Sequence, residues 1–388
     1  MGPPFIPDSG LPAALTPLVG RASDVAAVAA SLRQPEVRLA TLTGPGGVGK
    51  TRLALEAVAA LSGDFPDGVR FISLAAIVDP DLLALTIVQQ LGLAPAAATP
   101  PEARLAWFLR DRALLLVLDN FEQIVDAAPI LTELLAACPK MKMLVTSRVR
   151  LRLSGEHEHV VPPLALVERG GVSSLERARA SAAVQLFVAR AQATNDAFVL
   201  SADNAAAIAA ICDRLDGLPL AIELAAARVK TLPPAALLAR LERRLPLLTG
   251  GARDLPARQQ TMRDAIAWSH ALLAPAAPSL FRRLAVFVGG FTVEAAAALL
   301  DPAADAAIGA LDEVNALVDA SLVRPEATTT GEPRFLMLET IREYAAERLV
   351  ASGEEAMMRR AHAAYFLRWA EDVRGDRSRN LAPAALPL

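Results

Sequence analysis

Eight consecutive residues, Gly44 to Thr51 (GPGGVGKT), carry the most specific chemical signal in the sequence. Glycines at Gly44, Gly46, Gly47 and Gly49 let backbone N–H groups curl around phosphate oxygens. Lys50 brings an ammonium to the β- and γ-phosphates, and the Thr51 hydroxyl is a ligand for Mg²⁺. Pro45 and Val48 occupy the variable positions, and Arg52 follows directly. The chemistry this spacing suits is binding of a nucleotide with Mg²⁺, the terminal phosphate being open to transfer. The plainer alternative is a glycine-rich turn that meets the spacing by chance.

Three further residues suit the same chemistry. Asp119 closes a continuous apolar run, Ala113 to Asp119 (ALLLVLD), and a carboxylate there would hold Mg²⁺ opposite Thr51; the alternative is a cap for the next helix. Glu122 either polarises an attacking water or faces solvent. Arg148 follows the run Lys142 to Thr146 and either reaches a γ-phosphate or pairs with a surface carboxylate. His157 and His159 flank Glu158 but have no third ligand at metal spacing, and read as strand-edge residues.

The elements that must position these groups are legible around them. Val37, Leu39 and Leu42 suit a buried strand entering the loop, and Leu53, Leu55, Ala57, Val58 and Leu61 return at helical spacing behind it. A helix there points its positive N-terminal end at the bound anion. Gly68 to Leu74, Ala113 to Asp119, Lys142 to Thr146 and His159 to Leu164 add four strands, giving a five-stranded parallel sheet. Helices are expected at Asp81 to Leu91, Glu102 to Arg110 and Val125 to Ala137, with a loop at Pro95 to Pro101. Ligands bind at the carboxyl edge of such a sheet, where Asp119 and Arg148 fall.

From Ser181 onward the strands stop. Helices at Ser181 to Ala193, Asp203 to Leu215 and Leu220 to Val229 surround DGLPL, in which Gly217 ends one helix and Pro219 opens the next. The sequence loosens at Leu245 to Pro256, an expected domain junction. Beyond it come helices at Met262 to Leu273, Pro278 to Leu284, Val293 to Leu300 and Ile308 to Ala320. A small hairpin from Leu322 to Arg324 and Arg334 to Met337 gives the order of a winged helix, and Glu339 to Val350 and Glu354 to Val373 finish the helical part. The expected organisation is therefore a flexible tail over 1–17, a nucleotide domain over 18–168 and a helical lid over 169–250. A winged-helix domain over 251–350 and a C-terminal helix and tail over 351–388 complete it.

Composition excludes several classes. At 388 residues, 53% hydrophobic and 21% charged, the chain can bury two or three cores and is not disordered. A net charge of −3 provides no global field for nucleic acid or anionic membrane. Two cysteines, Cys138 and Cys212, in apolar helical contexts give neither a disulfide framework nor a zinc site, which fits a reducing, cytoplasmic setting. No apolar run reaches the roughly eighteen residues of a spanning helix, and the N-terminus lacks a signal pattern.

Taken in order, LVGR, GPGGVGKT, LLLVLDN, VTSR, GLPL and MLETIREYA resemble the nucleotide-binding core of the NB-ARC branch of signal-transduction ATPases. The likeness is nearest to bacterial regulators of the LuxR and antibiotic-regulator type, and covers about Leu18 to Ala370. It implies ATP or ADP with Mg²⁺ as ligands. Val19, Gly20 and Arg21 would line the adenine and ribose side, and Gly44 to Thr51, with Arg52 beside them, would hold phosphates. Thr51 and Asp119 would hold the metal, Arg148 would sense the γ-phosphate, and Pro219 would pack on adenine. The family's Met-His-Asp motif corresponds here to Met337, Leu338 and Glu339, so its histidine contact to ADP has no counterpart.

The function implied is a molecular switch in which ATP against ADP sets the winged helix, with slow hydrolysis resetting it. A motor-type or metabolic ATPase and a DNA-binding winged-helix regulator are the alternatives. The candidate reading helix, Ile308 to Ala320, carries Asp312, Glu313 and Asp319 but no Lys or Arg, so direct DNA binding is not expected. Relatives of this kind carry a DNA-binding module at one end and helical repeats at the other. The expected partners are accordingly a signalling protein or a module supplied beyond this chain, with ATP-dependent self-association and no membrane.

Overall fold

The computed structural model describes residues 11–12, 15–93, 99–167, 174–251, 256–274, 277–300, 306–326 and 333–380. Most of the expected N-terminal tail, residues 95–98 of the expected loop and residues 381–388 of the closing segment NLAPAALPL lie outside those residues. The chain divides into two compact units, residues 1–272 with 319–321, and residues 273–318 with 322–388.

The first unit is built on five parallel strands, β1 (Leu39–Thr43), β2 (Val69–Ser73), β3 (Leu115–Asp119), β4 (Lys142–Thr146) and β5 (Glu156–Val160), in the order β2-β3-β4-β1-β5. Helices α1 (Ala22–Arg33), α2 (Lys50–Ala59), α3 (Leu83–Gln90), α4 (Pro101–Leu109) and α5 (Pro129–Ala137) precede or connect them. β1 and β3 are buried at every position, as expected of central strands covered on both faces. Leu116, Leu118, Phe121, Met143, Val145, Ile87 and Leu105 share one core cluster.

The order of strands decides where the chemistry sits. From β1 the chain crosses to the far edge at β2 and returns through β3 to β4, beside β1 again. The carboxyl ends of β1, β3 and β4 therefore open onto the place where strand order reverses, which is where such sheets bind ligands.

In the second unit the first hairpin strand is Arg324–Glu326 rather than Leu322 to Arg324, and two elements beside the sheet edge also differ from the sequence expectation. The fifth strand is Glu156–Val160 rather than His159 to Leu164, with Leu42 opposite His159. Pro162 and Pro163 cannot donate to a ladder, and the Leu164 N–H turns to the Gly217 carbonyl at 2.9 Å. The expected helix from Val125 instead starts with 3-10 turns at Phe121–Gln123 and Val125–Ala127, and α5 begins only at Pro129. Proline's fixed φ makes it a natural first helical residue.

Helices α6 (Ser174–Ala180), α7 (Ala182–Thr194), α8 (Ala202–Arg214), α9 (Pro219–Ala226), α10 (Pro234–Arg240), α11 (Ala257–Gln260) and α12 (Met262–Ala271) complete this unit. The α8–α9 turn needs its glycine: Gly217 has φ +67°, and a Cβ there would lie 2.3 Å from the Leu164 carbonyl.

The second unit contains α13 (Ala277–Arg283), α14 (Val293–Ala297), α15 (Ala306–Asp319), the antiparallel pair β6 (Arg324–Glu326) and β7 (Arg334–Leu336), α16 (Glu339–Ala351) and α17 (Glu355–Asn380). Phe291 adds a bridge to β7 through reciprocal backbone bonds with Phe335 at 2.8 and 2.9 Å. Three helices followed by this small sheet make a winged helix. Leu338 is buried at the entry to α16, and Glu339 pairs with Arg342 at 2.8 Å, so no imidazole occupies the position of the family's histidine.

Candidate phosphate-binding site

Residues 44–49 leave β1 and turn directly into α2. Gly47 (φ +81°) and Gly49 (φ +99°) take left-handed backbone that other residues resist. The two glycines answer different needs. A Cβ on Gly47 would lie 2.6 Å from Leu220, whereas at Gly49 nothing lies within 4 Å, so there only the backbone angle demands glycine. Since the first-turn N–H groups of a helix have no intrahelical acceptor, the start of α2 presents donors and a positive dipole end to an anion.

Lys50 is 9% exposed, and its Nζ donates to the Gly44 carbonyl at 2.7 Å and the Pro45 carbonyl at 3.2 Å. Burial lowers its pKa to about 8, against the opposing attraction of Glu122 and Asp119. The ammonium is thus held on the inner face of its own loop, aimed where an anion would replace lost hydration.

Asp119 at the end of β3 is 4% exposed. Its Oδ1 accepts from Thr51 Oγ1 at 2.7 Å and from Thr146 Oγ1 at 2.5 Å. Burial raises this carboxyl above its ordinary range, and the two hydroxyls oppose the shift. Asn120 then adopts φ 65°, and its N–H donates to Thr146 Oγ1 at 3.0 Å. Asp119 is consequently tied to the loop and to β4, and not to the capping of a following helix. The all-oxygen donor set of Thr51 and Asp119 suits a hard cation such as Mg²⁺.

The left-handed turn at Asn120 carries Glu122 inward. It is 4% exposed and pairs through Oε1 with Arg148 Nε at 3.2 Å, which replaces the solvent-facing alternative for Glu122 and the surface-pair alternative for Arg148. Glu122 Oε2 is buried with no hydrogen-bond partner. Arg148, 3% exposed, also donates through Nη1 to the Ala265 carbonyl at 2.6 Å and to Ser269 Oγ at 2.5 Å. It touches the loop, since a Cβ on Gly46 would lie 2.8 Å from Nη1. Burial lowers the Arg148 pKa, and Glu122 counters the shift.

The structure therefore gathers Gly44 to Thr51, Asp119, Glu122 and Arg148 at one sheet edge. Pro219 is the first residue of α9, and the adjacent Leu220 N–H binds the Gly47 carbonyl at 3.1 Å. Gly20 passes α7 so closely that a Cβ would lie 2.2 Å from the Cβ of Ala182. Val19 precedes it in the same segment. Arg21 reaches back to brace the loop, donating to the carbonyls of Val48 at 3.3 Å and Pro162 at 2.5 Å. Arg52 is placed elsewhere: its guanidinium binds the Thr16 and Pro17 carbonyls.

Sequence reading missed Thr146 and Ser269. Thr146 had a usable signal, a hydroxyl two residues before Arg148 at a strand end. Ser269 had none, being 121 residues away from its partner. His157 and His159 lie on the outer strand β5, and no group of three or more His, Cys, Asp or Glu side chains suited to a metal occurs among the described residues. Cys138 and Cys212 are buried free thiols, and no helix among the described residues is long and apolar enough to cross a membrane.

Comparison with known proteins agrees with this geometry. A family model described as the NB-ARC domain matches residues 21–161, and one described as a winged helix-turn-helix domain matches residues 273–350. A Mycobacterium tuberculosis protein named "Putative HTH-type transcriptional regulator" is 42% identical over 323 residues, 82% of this chain and 34% of that protein. An uncharacterized protein of the same organism is 38% identical over 351 residues, 88% of this chain and 83% of the relative. The regulatory protein AfsR of Streptomyces coelicolor is 31% identical over 353 residues, 84% of this chain and 32% of AfsR. The chain spans about a third of the length of the two named regulators.

Proposed function

Because the chain belongs to the NB-ARC/STAND-type ATPase cores close to the antibiotic-regulator type, we propose that it is a molecular switch that binds ATP and ADP with Mg²⁺. Slow hydrolysis resets it within a transcription-regulatory system. The observation that carries this reading is the pairing of a phosphate loop with a buried arginine held by the last helix of the same compact unit. Arg148 touches Gly46 and, at the same time, Ala265 and Ser269 on α12. A metabolic ATPase needs no such tie between its nucleotide loop and a distant helix; a switch does.

Lys50, the loop N–H groups and the start of α2 would hold the phosphates, and Thr51 and Asp119 would hold Mg²⁺. Val19, Gly20, Arg21 and Pro219 would border the nucleoside. When bound, Mg²⁺–ATP supplies the γ-phosphate whose presence or loss is the signal. Thr146 orients Asp119, so that one carboxylate oxygen stays tied while the other is left for the metal's shell. Glu122 Oε2, buried without a partner, would accept a proton from a water at the loop.

The test is the identity of the nucleotide carried by the purified chain, released by denaturation. Bound ADP supports the resting switch; a chain that carries none and shows no calorimetric response to ATP or ADP refutes it.

The winged helix-turn-helix match favours a second reading, direct DNA contact, and weighs against excluding it. α15 contains no Lys or Arg, and its Ile308 and Leu311 are exposed, a poor surface for phosphate contact. DNA contact is therefore assigned to a module outside this chain. A sequence-specific gel shift at physiological salt with the chain alone would reverse that assignment.

A further inference from the structure

Arg148 is clamped from two sides. Nη1 donates to the Ala265 carbonyl at 2.6 Å and to Ser269 Oγ at 2.5 Å, and Nε donates to Glu122 Oε1 at 3.2 Å. Ala265 and Ser269 are four residues apart, so both acceptors lie on one face of α12. The guanidinium rests against the loop only because position 46 has no side chain. Glu122, held on one oxygen by Arg148, keeps its other oxygen buried and without a partner.

We infer that Ser269 is a positioning residue: its hydroxyl, with the Ala265 carbonyl, holds Arg148 on α12 and over Glu122, in competition with a terminal phosphate at residues 44–51. The inference rests on the reading of those residues as a phosphate site and adds which side chain sets the balance. A bond present only in the α12-held arrangement lowers the free energy of that arrangement. It thereby weakens the apparent affinity of any ligand that requires Arg148 to be released. ADP makes no demand on Arg148; ATP does. Loss of the Ser269 hydroxyl must therefore strengthen ATP binding, the opposite of what loss of a merely structural contact does.

The experiment is calorimetric titration of the nucleotide-stripped chain with ATP and with ADP in Mg²⁺. Ser269→Ala is expected to raise the ATP-to-ADP affinity ratio by roughly three- to tenfold, with ADP affinity unchanged, a tenfold change being about 1.4 kcal/mol. Ser269→Cys, which keeps the volume but replaces a strong acceptor by a weak one, carries the same expectation should the alanine variant fold poorly. Ser269→Thr restores the hydroxyl and the wild-type ratio. In an Arg148→Ala background, Ser269→Ala has no further effect on the ratio. An unchanged ratio in a folded Ser269 variant, or equal losses for both nucleotides, overturns the inference while leaving the phosphate site intact. Absence of binding by the wild-type chain removes both.

Discussion

Thr51 and Thr146 donate their hydroxyls to the same oxygen of Asp119, at 2.7 and 2.5 Å. One hydroxyl comes from the first turn of the helix behind the phosphate loop, the other from the last residue of β4. Asp119 is therefore the point at which the loop, β3 and β4 are fixed to one another. Such shared acceptors orient a carboxylate as much as they stabilise it.

Asp119→Asn keeps the shape of that junction and removes its charge. Nucleotide affinity is expected to fall by less than about tenfold, while Mg²⁺-dependent turnover falls by about ten- to a hundredfold, the scale of lost support around a metal site. Turnover against Mg²⁺ concentration checks this, and unchanged turnover at limiting Mg²⁺ would assign Asp119 a purely structural part.

Lys50→Ala removes an ammonium whose bonds go to the carbonyls of its own loop, and leaves the strand and helix around it intact. Binding of ATP and of ADP should fall below detection in micromolar titrations, with a folded circular-dichroism spectrum. Loss of one charge-assisted contact is worth about 1.5–3 kcal/mol. Wild-type affinity in this variant would sink the assignment of residues 44–51.

Arg148→Ala removes the group proposed above to separate ATP from ADP. The preference for ATP should drop by roughly ten- to a hundredfold, at about 1.4 kcal/mol per decade. The truncation also leaves buried Glu122 without its Arg148 partner, so the melting temperature should fall as well. Calorimetry with both nucleotides decides, since equal losses would make Arg148 a structural residue alone.

Glu354 gives a pH dependence to the second compact unit. Hydrogen bonds from Arg282 and Arg283, at 2.6 and 2.8 Å, hold its pKa down to about 2, against 4.5 when unconstrained. A depressed carboxylate contributes stability above its unfolded pKa and loses it as pH falls toward the folded one. The contribution should thus be complete above about pH 5 and disappear between about pH 4.5 and 2. Because the site is near the surface, it amounts to no more than about 1 kcal/mol. Glu354→Gln should flatten that part of the acid-unfolding curve, and an identical curve would show that other carboxylates govern it.

The loop, the buried carboxylate of Asp119 beside it and the sheet are legible because each is written locally. Lys50 and Thr51 sit in a fixed spacing, and Asp119 ends an apolar run that only a covered strand can use. Glu122 was ambiguous because its inward path depends on the left-handed turn at Asn120, which sequence alone does not specify. Arg148 was found as a strand-end cation, yet its acceptors at Ala265 and Ser269 come from a helix remote in sequence. Arg52 was grouped with the loop by adjacency, but helical geometry turns it toward Thr16 and Pro17. Apolar character alone places the fifth strand too late, because Pro162 and Pro163 end the pairing that it would prolong.

The bond from Leu220 N–H to the Gly47 carbonyl, and the absence of room for any side chain between them, make the start of α9 a splint for the phosphate loop. Rotation of α9 away from the sheet cannot occur without loosening the loop's grip. On the proposed reading of residues 44–51, release from the loop should therefore keep pace with the opening of α9, so that whatever signal moves α9 also acts as a nucleotide-exchange factor.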